Sequence, residues 1–171
     1  MFKDFGEKSF LGLHVVSRGE QYVSIGKYCY IGDNSLITAW DTYNTQVFSP
    51  QISIGNNSHI GSYSHITAIN KIIIGNNVLT GTKVLITDNS HGQFRKEELD
   101  IPPTQRPLYS KGPVIIDDNV WIGEKVTICS NVHIGKGAII AANSVVTHNV
   151  PEYSMVAGVP ARIIKQLNSQ L

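Results

Sequence analysis

Cysteine is scarce in this chain, with only Cys29 and Cys129 among 171 residues. Two thiols give no disulfide framework, and they read as reduced, buried side chains of an intracellular protein. Charge of one sign is also missing. The 14 lysines and arginines against 13 aspartates and glutamates leave a formal net charge of +1, which removes the electrostatic case for a nucleic-acid partner. No long apolar run is present either. The N-terminal stretch carries Lys3 and Lys8, and its mixed segment 10–16 is interrupted by Gly12 and His14. Neither a secretory leader nor a membrane span is predicted there, and the expected location is the cytoplasm.

What the chain has instead is a period. Isoleucine returns every sixth residue at Ile25, Ile31 and Ile37, at Ile54, Ile60 and Ile66, and again at Ile116, Ile122, Ile128, Ile134 and Ile140. Ile74, Thr80 and Ile86 bridge the middle, and Val146 closes the series. Such a period belongs to a coil of stacked short strands, a solenoid. Three residues after each aliphatic, a second column holds Asn34, Asn57, Asn77, Asn89, Asn119, Asn131, Asn143 and Asn149, with Gly137 completing it. Asn and Gly tolerate positive φ, so this column predicts a left-handed backbone corner in each hexapeptide. Three such corners close a triangle. Small or β-branched residues at the fifth position, among them Ser35, Ser58, Ser64, Val84, Val120 and Ala138, suit a narrow interior. A sandwich of short strands with Asn-Gly turns is the competing fold. It requires period-two strands and two-residue turns, whereas the spacing here stays at six across stretches as different as IGNNSH and IAANSV.

The predicted organisation is a single domain over 1–171: an irregular lead over 1–20, a β-helix over 21–150, and a turn with a short helix over 151–171. The register slips between Trp40 and Ser53, slips by two residues near Lys71, and breaks most widely over 92–113. That last stretch, GQFRKEELDIPPTQRPLYSKGP, is charged and proline-bearing, and a long excursion from a solenoid wall commonly shapes a binding cleft. Ile163, Ile164 and Leu167 stand at helical spacing and predict a helix over 161–167 that caps the open edge of the coil.

The isoleucine-glycine hexapeptides, the histidine in TDNSHG just before the long excursion, and NVWIG followed by AGVPAR together carry a family resemblance. Over about residues 20–166 the chain resembles the hexapeptide-repeat acyltransferases. Within them it is most similar to sugar O-acetyltransferases of the maltose and galactoside type and to those that decorate bacterial surface polysaccharides. The resemblance implies an all-β solenoid, a left-handed parallel β-helix, whose hand runs against the usual right-handed crossover. It also implies acetyl-CoA as cosubstrate, no metal, and a homotrimer with active sites between subunits.

Moving an acetyl group from a thioester to an alcohol needs a base for the hydroxyl proton, and imidazole suits that task near neutral pH. The resemblance places this base at His91, with direct transfer, since nothing pairs Ser90 into a nucleophile triad. Asp88 and Asn89 are neighbouring candidates to orient the ring, Asn70 is another, and a backbone carbonyl serves equally. For acetyl-CoA the resemblance points to Trp121, although a tryptophan on a coil wall fits a subunit contact as well. Gly123, Ala141 and Ala142 leave room for a pantetheine arm. Thr147, Arg162 and Lys165 match positions near the adenine and phosphates, where cations suit the charge, while a solvated face is the plainer role for the two cations. His148 departs from the lysine common at that place in relatives.

Other readings stay open. A γ-carbonic-anhydrase-like zinc protein uses the same coil, and the repeat register puts His91 and His133 in one column. Zinc needs three protein ligands, and no third histidine is placed, His59 and His65 falling on other faces. N-acetylation of an amino sugar and a non-catalytic scaffold are the remaining alternatives. Arg95, Arg106 and Tyr109 of the long loop, with Trp40, Asp41 and Tyr43 of the early one, are candidates for acceptor contacts.

Overall fold

A computed structural model describes residues 1–167. The period of six becomes three parallel sheets that the chain visits in turn. The first face stacks Asp4–Phe5, Val23–Ile25, Gln51–Ile54, Lys71–Ile74, Val114–Ile116 and Val132–Ile134. The second stacks Phe10–Leu11, Tyr30–Ile31, His59–Ile60, Leu79–Thr80, Trp121–Ile122 and Ile139–Ile140. The third stacks Val16–Arg18, Leu36–Ala39, His65–Ala68, Leu85–Thr87, Thr127–Ile128 and Val145–Val146. This is a left-handed parallel β-helix.

Register explains why isoleucine recurs. Ile25, Ile54, Ile74, Ile116 and Ile134 are direct partners down the first face, and Ile37, Ile66, Ile86, Ile128 and Val146 down the third. All are buried. Each such side chain contributes roughly 1.5–3 kcal/mol by leaving water, and β-branching suits the pleated wall. Thr80 interrupts the second column without an orphaned hydroxyl: its Oγ1 accepts from the Gly61 amide and donates to the Gly81 carbonyl, each at 2.9 Å. The fifth-position serines act likewise across coils. Ser58 Oγ donates to the Gly75 carbonyl at 2.8 Å and accepts from the Val78 amide at 3.1 Å.

The corners are left-handed, as the asparagine column requires. Asn34, Asn57, Asn77, Asn119, Asn131 and Asn143 have φ between 55° and 62°, and Gly137 has φ 67°. Two members of the column do not follow. Asn89 and Asn149 are absent from the positive-φ set, because the chain leaves the coil after the first and exits the repeats after the second. Conversely Tyr28, Tyr63, Lys83, Lys125 and Tyr153 also turn with positive φ, so a corner is forced on ordinary residues once the strands either side of it are pinned. The glycines after the isoleucines answer another need. A Cβ on Gly61 would lie 2.2 Å from the Gly81 carbonyl oxygen, so glycine is what lets successive coils approach.

Two expectations are corrected. The lead over 1–20 is not irregular but a full turn of the coil: Phe5 pairs with Ile25, Leu11 with Ile31 and Ser17 with Ile37. The spacing of six continues through 5, 11 and 17, with Lys8 and His14 at the left-handed corners, but of the three only Leu11 is aliphatic, which hides the repeat. The C-terminal helix is a strand. Ala161–Gln166 runs antiparallel to Ser154–Gly158, which itself pairs in parallel with Ile139–Ile140. The last coil presents unpaired backbone groups, and a hairpin satisfies them where a helix would not. The end of the predicted 151–171 segment, 168–171, lies outside the described residues.

Both excursions have structure of their own. The early slip is an antiparallel hairpin, Thr42–Tyr43 with Gln46–Val47, turning at Asn44. The long loop contains a short helix Lys96–Leu99 and a 3-10 turn Pro103–Gln105, and it returns as Leu108–Tyr109.

Candidate active site

The hairpin and the long loop leave the coil at the same corner, between the third and first faces, on the two coils that flank the tight turn at Ile69 and Asn70. Asp88 builds that turn. Its carboxylate is buried and accepts the Ile69 amide on Oδ1 and the Asn70 amide on Oδ2, both at 2.9 Å. The chain then leaves the wall as Ser90–His91, paired antiparallel with Leu108–Tyr109 so that His91 lies opposite Leu108.

The hairpin closes the other edge of this ribbon. The Leu108 amide donates to Gln46 Oε1 at 2.7 Å, and Gln46 Nε2 donates to the Leu108 carbonyl at 3.1 Å. One glutamine side chain therefore substitutes for a neighbouring strand. From the same hairpin, Tyr43 Oη donates to the Thr104 carbonyl at 2.7 Å and lies 3.4 Å from His91 Nδ1. The two rings meet edge to face, 5.5 Å between centroids. His91 itself is exposed. Arg18 of the first coil stacks on Trp40 at 3.8 Å and steadies the root of the hairpin. A cavity of about 320 Å³ opens beside the ribbon, lined by Gln93, Phe94, Arg95, Tyr109 and Lys111 among others.

None of the three side chains proposed to orient the ring reaches it. Asp88 is engaged with the backbone turn, and Asn89 Nδ2 donates to the Thr67 carbonyl at 3.3 Å and to Asp88 at 3.1 Å. Asn70 Nδ2 faces Ser110 at 3.5 Å. Sequence adjacency misleads here because Asp88 and Asn89 still follow the wall whereas His91 has left it. Ser90 Oγ donates to the Gly92 carbonyl at 3.0 Å, and burial pushes the Cys129 thiol up despite nearby Lys111, so neither is prepared as a nucleophile. The supposed His91 and His133 column does not exist. His133 sits on the first face beside Ile115 and binds Asp117 at 2.9 Å. Among the described residues no three His, Cys, Asp or Glu side chains cluster as metal ligands. Gln46 and Thr104 were not foreseen, and the only signal for them was the position of the two insertions.

The residues proposed to meet acetyl-CoA lie elsewhere. Trp121 is 53% exposed on the second face, stacked between Leu79 and Ile139. Gly123 packs under the next coil, where a Cβ would come within 2.5 Å of the Ala142 amide nitrogen. Ala141 is partly covered, Ala142 is exposed, and Thr147 Oγ1 shares a hydrogen with His148 Nδ1 at 2.9 Å. Arg162 borders a cavity of about 510 Å³ with His148 and Asn149, while Lys165 borders a separate one of about 500 Å³ with Tyr153 and Met155. A single chain thus holds His91 at one corner and Trp121 on the face that does not share that corner. No helix among the described residues is long and apolar enough to cross a membrane.

Residues 113–148 match the family model described as bacterial transferase hexapeptide (six repeats). The same period of six continues on both sides of that match, in the coils stacked above and below it. It is 45% identical over 92 residues to WbbJ of Escherichia coli (strain K12), provisionally named an O-acetyl transferase of lipopolysaccharide biosynthesis, a match covering 52% of this chain and 46% of WbbJ. The chain therefore spans less than half the length of the curated relatives it matches. AntD, an N-acyltransferase from Bacillus cereus in complex with dTDP and 3-hydroxybutyryl-CoA, has a TM-score of 0.79 at 21% identity, over 98% of this chain and 84% of AntD. The hexapeptide-repeat containing acetyltransferase VCA0836 from Vibrio cholerae has a TM-score of 0.63 at 26% identity, over 98% of this chain and 76% of its own.

Proposed function

We propose that the chain is an acetyl-CoA-dependent O-acetyltransferase acting on a hydroxyl of a sugar or polysaccharide precursor, with His91 as general base. The observation that carries this reading is the His91 ring itself, exposed at the mouth of an ordered loop, with one nitrogen facing Tyr43. In the reaction the ring takes the proton of the acceptor hydroxyl as that oxygen bonds to the thioester carbonyl carbon. The carbon–sulfur bond breaks, the imidazolium returns the proton to the departing sulfur, and the products are an O-acetyl ester and the free thiol of coenzyme A. No covalent enzyme intermediate is needed.

Trp121, the clear wall at Ala141 and Ala142, and the group Thr147, Arg162 and Lys165 are the proposed coenzyme contacts, with Gly123 allowing the coils beneath them to close. Because His91 and Trp121 stand on different parts of one chain, the complete site forms between copies, and a homotrimer meets that requirement with three equivalent grooves. The relatives support transfer from a coenzyme A thioester. They include O- and N-transferases and one structure holding a longer acyl group, so the acceptor panel includes amino sugars and the donor panel a 3-hydroxybutyryl thioester.

The test is thiol release from acetyl-CoA against free sugars, amino sugars and sugar nucleotides, beside His91→Ala. Wild-type turnover with an ester product, and a fall of roughly 10²- to 10⁴-fold in His91→Ala, is the expected result. An active His91→Ala protein overturns the base; no turnover with any acceptor favours a scaffold.

A further inference from the structure

We propose that Tyr43 is a positioning residue that holds His91 in the tautomer protonated on Nδ1, leaving Nε2 as the working base; this rests on the reading of His91 as the base. A phenol hydroxyl has one proton and two lone pairs. The Thr104 carbonyl accepts that proton at 2.7 Å, a full-strength O–H···O distance. Toward His91 Nδ1, at the longer 3.4 Å, the same oxygen has only lone pairs to offer. An unprotonated Nδ1 would set lone pair against lone pair, whereas an N–H there donates to the oxygen. The ring's other nitrogen has no hydrogen-bond partner among the described residues, and the side chain is exposed, so Nε2 faces outward with its lone pair free for a substrate proton.

The carbonyl that selects the tautomer is itself held. Thr104 sits in the turn Pro103–Gln105, behind Pro102 and Pro103, whose rings fix φ. Arg106 folds back over the same stretch, donating from Nε to the Ile101 carbonyl at 2.8 Å and from Nη2 to the Leu99 carbonyl at 3.1 Å. Gln46 then fastens hairpin to loop through Leu108, the residue opposite His91. The tautomer of the base is thereby coupled to closure of the long loop over the hairpin, and a chain with the loop open loses both the Thr104 acceptor and the orientation of Tyr43.

The experiment reads the ring directly. Protein labelled with 15N in histidine is studied by long-range 15N–1H NMR well above the histidine pKa range, with His91 identified by the signals missing in His91→Ala. The wild-type ring is expected in the Nδ1–H form. Tyr43→Phe, which keeps the aromatic edge and removes only the hydroxyl, moves it toward Nε2–H and lowers kcat about tenfold, with the KM for acetyl-CoA changed less than about twofold. A residue that merely props the loop leaves the tautomer alone. A wild-type ring protonated on Nε2, or a ring and kcat both unmoved by Tyr43→Phe, overturns the proposal. The spectrum needs no substrate, so failure of acetyl transfer with every acceptor counts against the base and not against the tautomer.

Discussion

In the coil, each hexapeptide repeats its neighbour's contacts: Ile37, Ile66, Ile86 and Ile128 stack in one column, and the backbone of every coil pairs with the next. The hairpin and the long loop have no such redundancy. They are joined by a pair of hydrogen bonds from Gln46, one from Tyr43 and the internal fastening by Arg106. Burial stabilises the first region, and single polar contacts order the second. The difference teaches where change is tolerated: the wall resists a lost methyl through many neighbours, while the site depends on individual atoms.

The largest effect that sharpens this contrast is Ile54→Ala. Ile54 is buried between Ile25 and Ile74, at the end of Gln51–Ile54 away from the hairpin, and its truncation costs about 3 kcal/mol in urea unfolding while the folded protein keeps the kcat of the proposed transfer. A loss below about 1 kcal/mol would show a wall more plastic than a stacked column allows. Asp88→Asn comes next. The amide turns a donor toward one of the two backbone N–H groups that the carboxylate accepts, which costs about 2 kcal/mol, with kcat reduced far less than in His91→Ala. If instead stability holds and turnover collapses, Asp88 belongs to the chemistry after all.

Gln46→Ala probes the other region. Global stability should move by less than about 0.5 kcal/mol, while hydrogen exchange at the Leu108 amide accelerates and the KM for the acceptor rises severalfold. An unchanged Leu108 amide would mean the loop holds itself without the hairpin.

The smallest effect is a pH slope in the wall. His65 is half-buried on the third face, its Nε2 at 3.1 Å from Thr38 Oγ1, and burial pushes its pKa below the ordinary 6.5. The folded state therefore binds this proton less readily than the unfolded chain, so His65 favours folding above 6.5 and that advantage is lost as pH falls through its folded pKa. In thermal melts His65→Leu should flatten the fall in melting temperature below pH 6.5, and an equally steep fall would remove His65 as its source.

Much of this was legible beforehand in the residues that repeat. The isoleucine and asparagine columns specified coil, corners and the two insertions, because side-chain direction in a strand follows spacing alone. Where other residues take the aliphatic's place, at Phe5 and Ser17, the coil continues without its signature. The isoleucines of Ala161–Gln166 fit a helix locally, and the open sheet edge beside them outweighs that preference and makes the segment a strand. At the site, the motif around His91 marks it as the candidate base but carries no trace of the groups its ring meets.

By itself the sequence determined the prism: a period of six, with small interior residues and residues able to turn left, admits few other ways to bury its aliphatics. Only the tertiary structure decided which groups meet at His91. Tyr43 stands 48 positions before His91 and 61 before Thr104, and the two insertions that carry them have no period. Their meeting depends on how one loop closes on another, and such a contact leaves no regular trace along the chain.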